Sequence, residues 1–370
     1  MLPKPAPISQ ASDYAQDVSQ ARLNLGLRPL LLLALLVGLV AVFLLSLALG
    51  SISIPLDQIL TVLLGGEAER ASWTNIILRI RLPKATTAAL AGAALGVSGL
   101  LMQTFFRNPL ADPSVLGVNA GASLGVALVV LSVGTVGGAL LAGFGLLGDL
   151  LLVAAAALGA ALTMLLVLLV ASRVQHSVTL LILGLMIGYL VSAAVSLLLY
   201  FAIPERIQAY ISWTFGSFGG VTWEQMPILA AGVLLGLALS LALTKPLNAL
   251  LLGEGYARSL GLNLMLVRMA IISATALLAG VVTAFCGPIA FLGIAVPHLC
   301  RSFFGTSDHR MLVPGAMLMG STAAMLAALI AEVPGRNLIL PLNAVTALMG
   351  APVVIAIILH RRNAAQTLGS

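Results

Sequence analysis

From Leu30 to Leu359 this chain is a succession of apolar runs, each about as long as a membrane is thick and separated from the next by a few polar residues. A helix crosses the ~30 Å hydrocarbon core with about 20 apolar residues, and in that medium every backbone N–H and C=O must find its partner within the protein. Repetition of such runs leaves helices as the fitting element and lipid as the main solvent. Composition excludes a soluble domain: 60% of the 370 residues are hydrophobic and 8% are charged, against roughly 25% charged in an average soluble protein.

Hydrophobic length and helix breakers place helices near 30–50, 83–105, 114–134, 148–171, 179–203, 225–244, 267–286, 287–303, 311–331 and 341–360. The expected fold is all-α, a polytopic membrane protein of about ten transmembrane helices, and the even count puts both termini on one side. Three regions follow: an N-terminal arm over 1–28, a transmembrane domain over 29–362 and a C-terminal tail over 363–370. The apolar run from Pro29 to Gly50 is too long for the core of a cleaved signal peptide, so it is expected to remain as the first helix.

Charge sets the orientation. With the N-terminal arm in the cytoplasm, twelve of the eighteen basic residues fall on inside segments, among them Arg107, Arg173, Lys245, Arg258, Arg268, Arg301 and Arg310. The outside segments hold Arg70, Arg79, Arg81, Lys84, Arg206 and Arg336. With acids counted too, the inside sums to +7 and the outside to −1, so both termini are expected to be cytoplasmic.

Catalytic patterns are missing. A P-loop needs Gly-Lys before Ser or Thr to cradle phosphates, and the three lysines follow Pro3, Pro83 and Thr244 instead. His176, His298, His309 and His360 stand singly near predicted helix ends; Asp308 adjoins His309, but sequence neighbours on a helix point apart. Cys286 and Cys300 match neither a disulfide framework nor a zinc spacing and read as buried small residues. The chain is expected to be no enzyme, to carry no cofactor or metal and to bind no nucleic acid. Glycines one turn apart, Gly92 with Gly96, Gly117 with Gly121 and Gly125, and Gly184 with Gly188, mark faces along which membrane helices approach closely.

Three segments carry a sharper signal. Arg81-Leu-Pro-Lys84 precedes a small-residue helix, and Arg107-Asn-Pro-Leu-Ala-Asp-Pro113 leads into Leu116-Gly-Val-Asn-Ala-Gly121. Gly253-Glu-Gly-Tyr-Ala-Arg-Ser-Leu-Gly261 is bracketed by glycines, with Glu254 and Arg258 four residues apart, a stabilising pair if the stretch is helical. Further along stand Trp213-Thr-Phe-Gly-Ser-Phe-Gly-Gly220, Gly287-Pro-Ile-Ala-Phe-Leu-Gly293 with Val296-Pro-His298, Ser307-Asp-His-Arg310 and Thr346-Ala-Leu-Met-Gly-Ala-Pro352. In this order, over roughly residues 30–362, the chain resembles the FecCD-like permease family of type II ABC importers for iron-siderophores, heme and cobalamin.

The resemblance implies a homodimeric permease embedded in the lipid of a bacterial inner membrane, working with two cytosolic ATP-binding cassette ATPases and a periplasmic or surface-anchored substrate-binding protein. It implies that Arg81 and Lys84 dock acidic side chains of that binding protein. It makes Gly253, Glu254, Ala257, Arg258 and Gly261 the segment that couples to the ATPase, and it places Asn108, Leu110, His176 and Ser177 at the inner gate. The family often has an acid and a basic residue late in the ninth helix; those positions are Ala328 and Glu332 here, so the third docking contact falls to Arg336, one turn further on.

The residues themselves keep plainer readings open. Asn108 before Pro109 reads as a turn or cap as readily as a gate, and Arg79, Arg81 and Lys84 also read as an ordinary juxtamembrane charge run. An iron chelate, siderophore or heme, is the cargo expected from the resemblance, with cobalamin as the alternative. An ion-driven secondary transporter is a separate class, but it would hold ionisable residues inside its spans, and only Asp149 and Glu332, both near predicted helix ends, come close.

Overall fold

The computed structural model describes residues 29–132, 146–174, 177–332 and 339–367, and among them every regular element is helical. Helix α1 (Pro29–Ala48) is followed by the short α2 (Leu56–Leu63) and α3 (Ala71–Asn75). From α3 the chain runs through a π-helical turn over Ile76–Arg81 into α4 (Leu82–Phe105). A 3-10 turn over Pro113–Leu116 opens α5 (Val118–Ser132), followed by α6 (Leu146–Arg173), α7 (Ser177–Tyr200) and the short α8 (Pro204–Thr214). The remainder is α9 (Met226–Ala242), α10 (Thr244–Leu251), α11 (Glu254–Ser259), α12 (Leu264–Cys286), α13 (Leu292–Phe304), α14 (His309–Ala331) and α15 (Leu342–Thr367).

Each predicted span has a helical counterpart. Six helices among the described residues are long and apolar enough to cross a membrane, α9 and α10 together form a seventh bent by 50°, and α5, α13 and α15 carry shorter apolar stretches. The boundaries differ where proline and glycine act. The helix expected from residue 83 is continuous from Ala71, because a π turn lies just before Pro83 and its wider winding absorbs the hydrogen bond that proline cannot donate. At the other end of the chain's middle, Pro246 near the start of α10 lacks the N–H that would tie it to α9, and the span bends there. The helix expected from residue 287 starts at Leu292, since Gly287 at φ +74° and Pro288 hold the chain out of helical geometry.

Helix α4 is the centre of the bundle. Of its apolar window 83% is buried, against 6% for α1 and 17% for α7, which therefore present most of their surface outward. It packs against α14, α13 and α12. The contact with α14 is made by backbone: a Cβ added to Gly92 would fall on the Gly320 carbonyl, and one added to Gly320 on the Gly92 carbonyl. Gly99 meets the Gly293 backbone of α13 in the same way, and Gly121 of α5 meets Gly159 of α6. Between helices in lipid, where water offers little drive, such close approach is the main source of attraction.

Arginines close helix ends. The last four carbonyls of a helix have no intrahelical partner and carry the negative pole of its dipole. Arg81 Nη1 donates to the Leu47 and Ala48 carbonyls that end α1, at 2.6 and 3.0 Å. Arg206 does the same for Leu131 at the end of α5, at 3.1 Å, and Arg268 for Val174 just beyond α6. Arg107 donates to Leu250 in the last turn of α10, at 3.1 Å.

Candidate functional site

Three places around this frame gather polar chemistry. The first is a cavity of about 460 Å³ between the 3-10 turn, α5, α7 and α8. Tyr189, Ser192 and Ser196 reach it from one face of α7, and Asn119, Ser123 and Tyr210 from α5 and α8. Ser123 is hydrogen-bonded to the Tyr210 hydroxyl, and Asn119 Oδ1 accepts from Thr283 at 3.0 Å. The described lining contains no carboxylate, no cation and no histidine. Sequence reading passed over this wall, although Tyr189, Ser192 and Ser196 at helical spacing in an otherwise apolar helix were its signal.

The second lies at the C-terminal end of α4. Arg107 adopts φ +48°, and the Asn108 side chain accepts the Leu110 N–H at 3.0 Å, so it builds the turn and leaves Leu110 exposed at the tip. Beyond α10 comes α11, bracketed by Gly253 at φ +117° and Gly261 at φ +82°. These are conformations that side chains other than glycine rarely adopt. Ala257 faces inward, Arg258 is exposed one turn from Glu254, and Leu251, Leu252, Tyr256 and Leu260 stand exposed around them. The helix expected of this segment is present, with its apolar and charged groups turned outward.

Beside it is a cavity of about 320 Å³ bordered by Gln103, Thr104, Arg107, Arg301, Ser307 and His309. Here the sequence reading of Asp308 and His309 as residues pointing apart is corrected. Asp308 precedes α14 and caps it, accepting the Arg310 N–H at 2.9 Å, and Asn248 of α10 bridges it to His309. Burial pushes the Asp308 carboxyl up, but the Arg310 N–H and the Asn248 amide outweigh it and hold it below the usual carboxylate range. His309 is not solitary: its ring joins Asn248 to Thr104 of α4.

The third lies at the N-terminal end of α4, where the basic cluster read from sequence is divided three ways. Arg79 is exposed, Arg81 is 8% exposed and caps α1, and Lys84 forms an ion pair with Glu332. Glu332, the position that departs from the family pattern in sign, is thus the intrachain partner of a predicted docking lysine. Arg336 and His176 lie outside the described residues; Ser177 is the first residue of α7. Both cysteines are buried and free, as expected.

Segments distant in sequence also converge. Gly287 sits against the Trp213 carbonyl, Ser217 N–H donates to the Cys286 carbonyl at 2.8 Å, and Gly350 leaves room for Phe291. The motifs around 213–220, 287–293 and 346–352 therefore form one joint.

The model of the FecCD transport family matches residues 38–360. The chain belongs to the FecCD transport family. It is 38% identical over 299 residues to the vitamin B12 import system permease protein BtuC of Klebsiella pneumoniae subsp. pneumoniae, covering 80% of this chain and 86% of that protein. With BtuC of Citrobacter koseri the identity is 39% over 287 residues, covering 77% and 83%. A solved structure described as a metal-chelate type ABC transporter in an inward-facing conformation superposes with a TM-score of 0.76 at 30% identity, covering 90% of this chain and 99% of that one. As a FecCD permease the protein is the multi-pass inner-membrane subunit of a type II ABC importer, which sets aside the ion-driven class; ATPase and substrate-binding subunits complete such importers.

Proposed function

We propose that two copies of this permease enclose a path for a corrinoid of the vitamin B12 type, lined by the hydroxyl-rich cavity of α5, α7 and α8. The observation that carries this is the chemistry of that wall. Hydroxyl and amide groups recognise a cargo by its hydrogen-bonding periphery, and no cluster of metal-binding side chains occurs among the described residues. A metal taken along this path travels already enclosed in its chelate. The vitamin B12 permeases among the relatives support a corrinoid over the iron chelate first expected from sequence. A second reading, an iron-siderophore, draws on the metal-chelate description of the solved structure; heme lacks a histidine in the described lining to hold it.

In this reading both termini are cytoplasmic and the N-terminal end of α4 faces outward. There Lys84, with Arg81 behind it and Arg336 four residues after its partner Glu332, docks acidic side chains of the binding protein. At the opposite end, Gly253, Glu254, Ala257, Arg258 and Gly261 present α11 to the ATPase, and Asn108, Leu110, His176 and Ser177 form the inner gate. The exposed apolar rim of α11 supports the first of these, and the exposed Leu110 on its Asn108 turn supports the second.

Uptake into vesicles holding the permease with its ATPase and binding protein tests the cargo. Radiolabelled cyanocobalamin should accumulate when ATP is supplied, and unlabelled cobalamin but not a ferric siderophore should compete. Accumulation of the ferric chelate without that of cobalamin would overturn the corrinoid in favour of the second reading.

A further inference from the structure

Helices α10 and α14 meet α4 at the end that carries the Arg107–Asn108 turn, and the three share a polar group in which Thr104 and His309 are buried and Asn248 and Asp308 partly so. Its hydrogen bonds can be oriented from their neighbours. The His309 backbone N–H only donates, so the Asn248 atom facing it at 2.9 Å is the amide oxygen. The ionised Asp308 carboxylate only accepts, so the atom facing it at 2.7 Å is the amide nitrogen. The same amide oxygen lies 2.8 Å from His309 Nδ1, which makes Nδ1 the protonated nitrogen. Nε2 lies 2.8 Å from the Thr104 hydroxyl, whose single proton is shared between Nε2 and the Leu100 carbonyl at 2.9 Å. His309 is 1% exposed and Thr104 is buried, and both border the cavity of about 320 Å³.

Thr104 lies one turn before Asn108, and Asn248 lies five residues before Gly253, where α11 begins. Arg107 runs a second link alongside, from the turn itself to the Leu250 carbonyl. Apolar helix contacts let one helix slide along another, whereas short directional bonds between buried groups hold register. We infer that Asn248 and His309 are positioning residues that carry displacement of the α11 segment to the end of α4 at Asn108. The inference rests on the reading of Gly253 to Gly261 as the ATPase-coupling segment.

The test uses the complete transporter in vesicles, with cargo moved per ATP hydrolysed as readout and co-purification of the ATPase as the check on assembly. Asn248→Leu keeps the branched shape and removes the amide; the ratio should fall about tenfold, within the range of coupling between distant sites. Asn248→Asp sets a second carboxylate against Asp308 and should lower it as well. Combining Asn248→Asp with Asp308→Asn removes the clash of two carboxylates, restores a donor–acceptor pair between the two positions and keeps an oxygen acceptor for His309, so the ratio should recover. An unchanged ratio in both single variants, or no recovery in the exchange, overturns the inference. If Asn248→Leu does not assemble, Asn248→Asp and the exchange decide. Glu254→Ala with Arg258→Ala separates the two levels. If that pair uncouples transport and the Asn248 variants do not, only the link fails; if the pair leaves assembly and ratio untouched, the coupling reading itself fails.

Discussion

Arg81, Arg107, Arg206 and Arg268 each donate to a carbonyl at or just beyond the C-terminal end of a helix other than their own, where the last carbonyls have no intrahelical partner. Arg268 also lies over the Phe105 ring, 5.9 Å from its centroid. Arg268→Met should therefore lower stability by about 2 kcal/mol, the scale of a hydrogen bond to a charged group, read as a fall in thermal midpoint in detergent. An unchanged midpoint would remove the cap from the account. The same logic separates two residues that look equivalent in sequence. Arg81→Glu breaks a buried cap and should lose folded protein before it tests docking. Lys84→Glu is the cleaner probe, and it should slow association of the binding protein, most strongly at low salt. Glu332→Ala, which frees Lys84, should speed it; stability should change by less than ~1 kcal/mol because the pair is partly exposed. Equal association rates for all three proteins would place docking elsewhere.

At the level of elements, what sequence disclosed depended on length. Runs of about 20 apolar residues are legible because lipid imposes that number, and each expected run proved helical, six or seven of them among the described residues being long and apolar enough to cross a membrane. Short helices carry no such mark. The eight residues of α2 and the eleven of α8 fell between spans, and only contact with Leu47, Ile54 and Ile77 explains why Ile59 and Val62 of α2 turn inward. The π turn before Pro83 and the bend at Pro246 were visible as prolines but not as geometry, since a proline says that a bond is missing without saying how the chain makes up for it. The His309 group stayed hidden because its members lie 205 and 61 residues apart in the chain. Helix α11, by contrast, was legible from its two glycines and its Glu254–Arg258 spacing. Replacing both charged residues by alanine should lower cargo-stimulated ATP hydrolysis several-fold while the permease still folds. Full stimulation in that variant would take α11 out of the interface.

Across the whole molecule, orientation rests on the charge asymmetry between the two ends of the bundle. Cysteines introduced at Ser72, in the exposed α3, and at Thr367, at the end of α15, should react with an impermeant maleimide from opposite sides, Ser72 from outside. The natural cysteines are buried and will not interfere. Labelling of both from one side would overturn the even count or the orientation. The meeting of Gly92 with Gly320 and of Gly99 with Gly293 then bears on how such a pump moves. Where backbone rests on backbone no side chain is available to rotate and take up slack, so α4, α13 and α14 have to travel together. The 24 residues of α4 make a strut about 36 Å long at 1.5 Å per residue. A load applied near Lys84 reaches Thr104 as a tilt of that strut, and the compliance of the machine must reside in the thinly covered helices that wall the cavity.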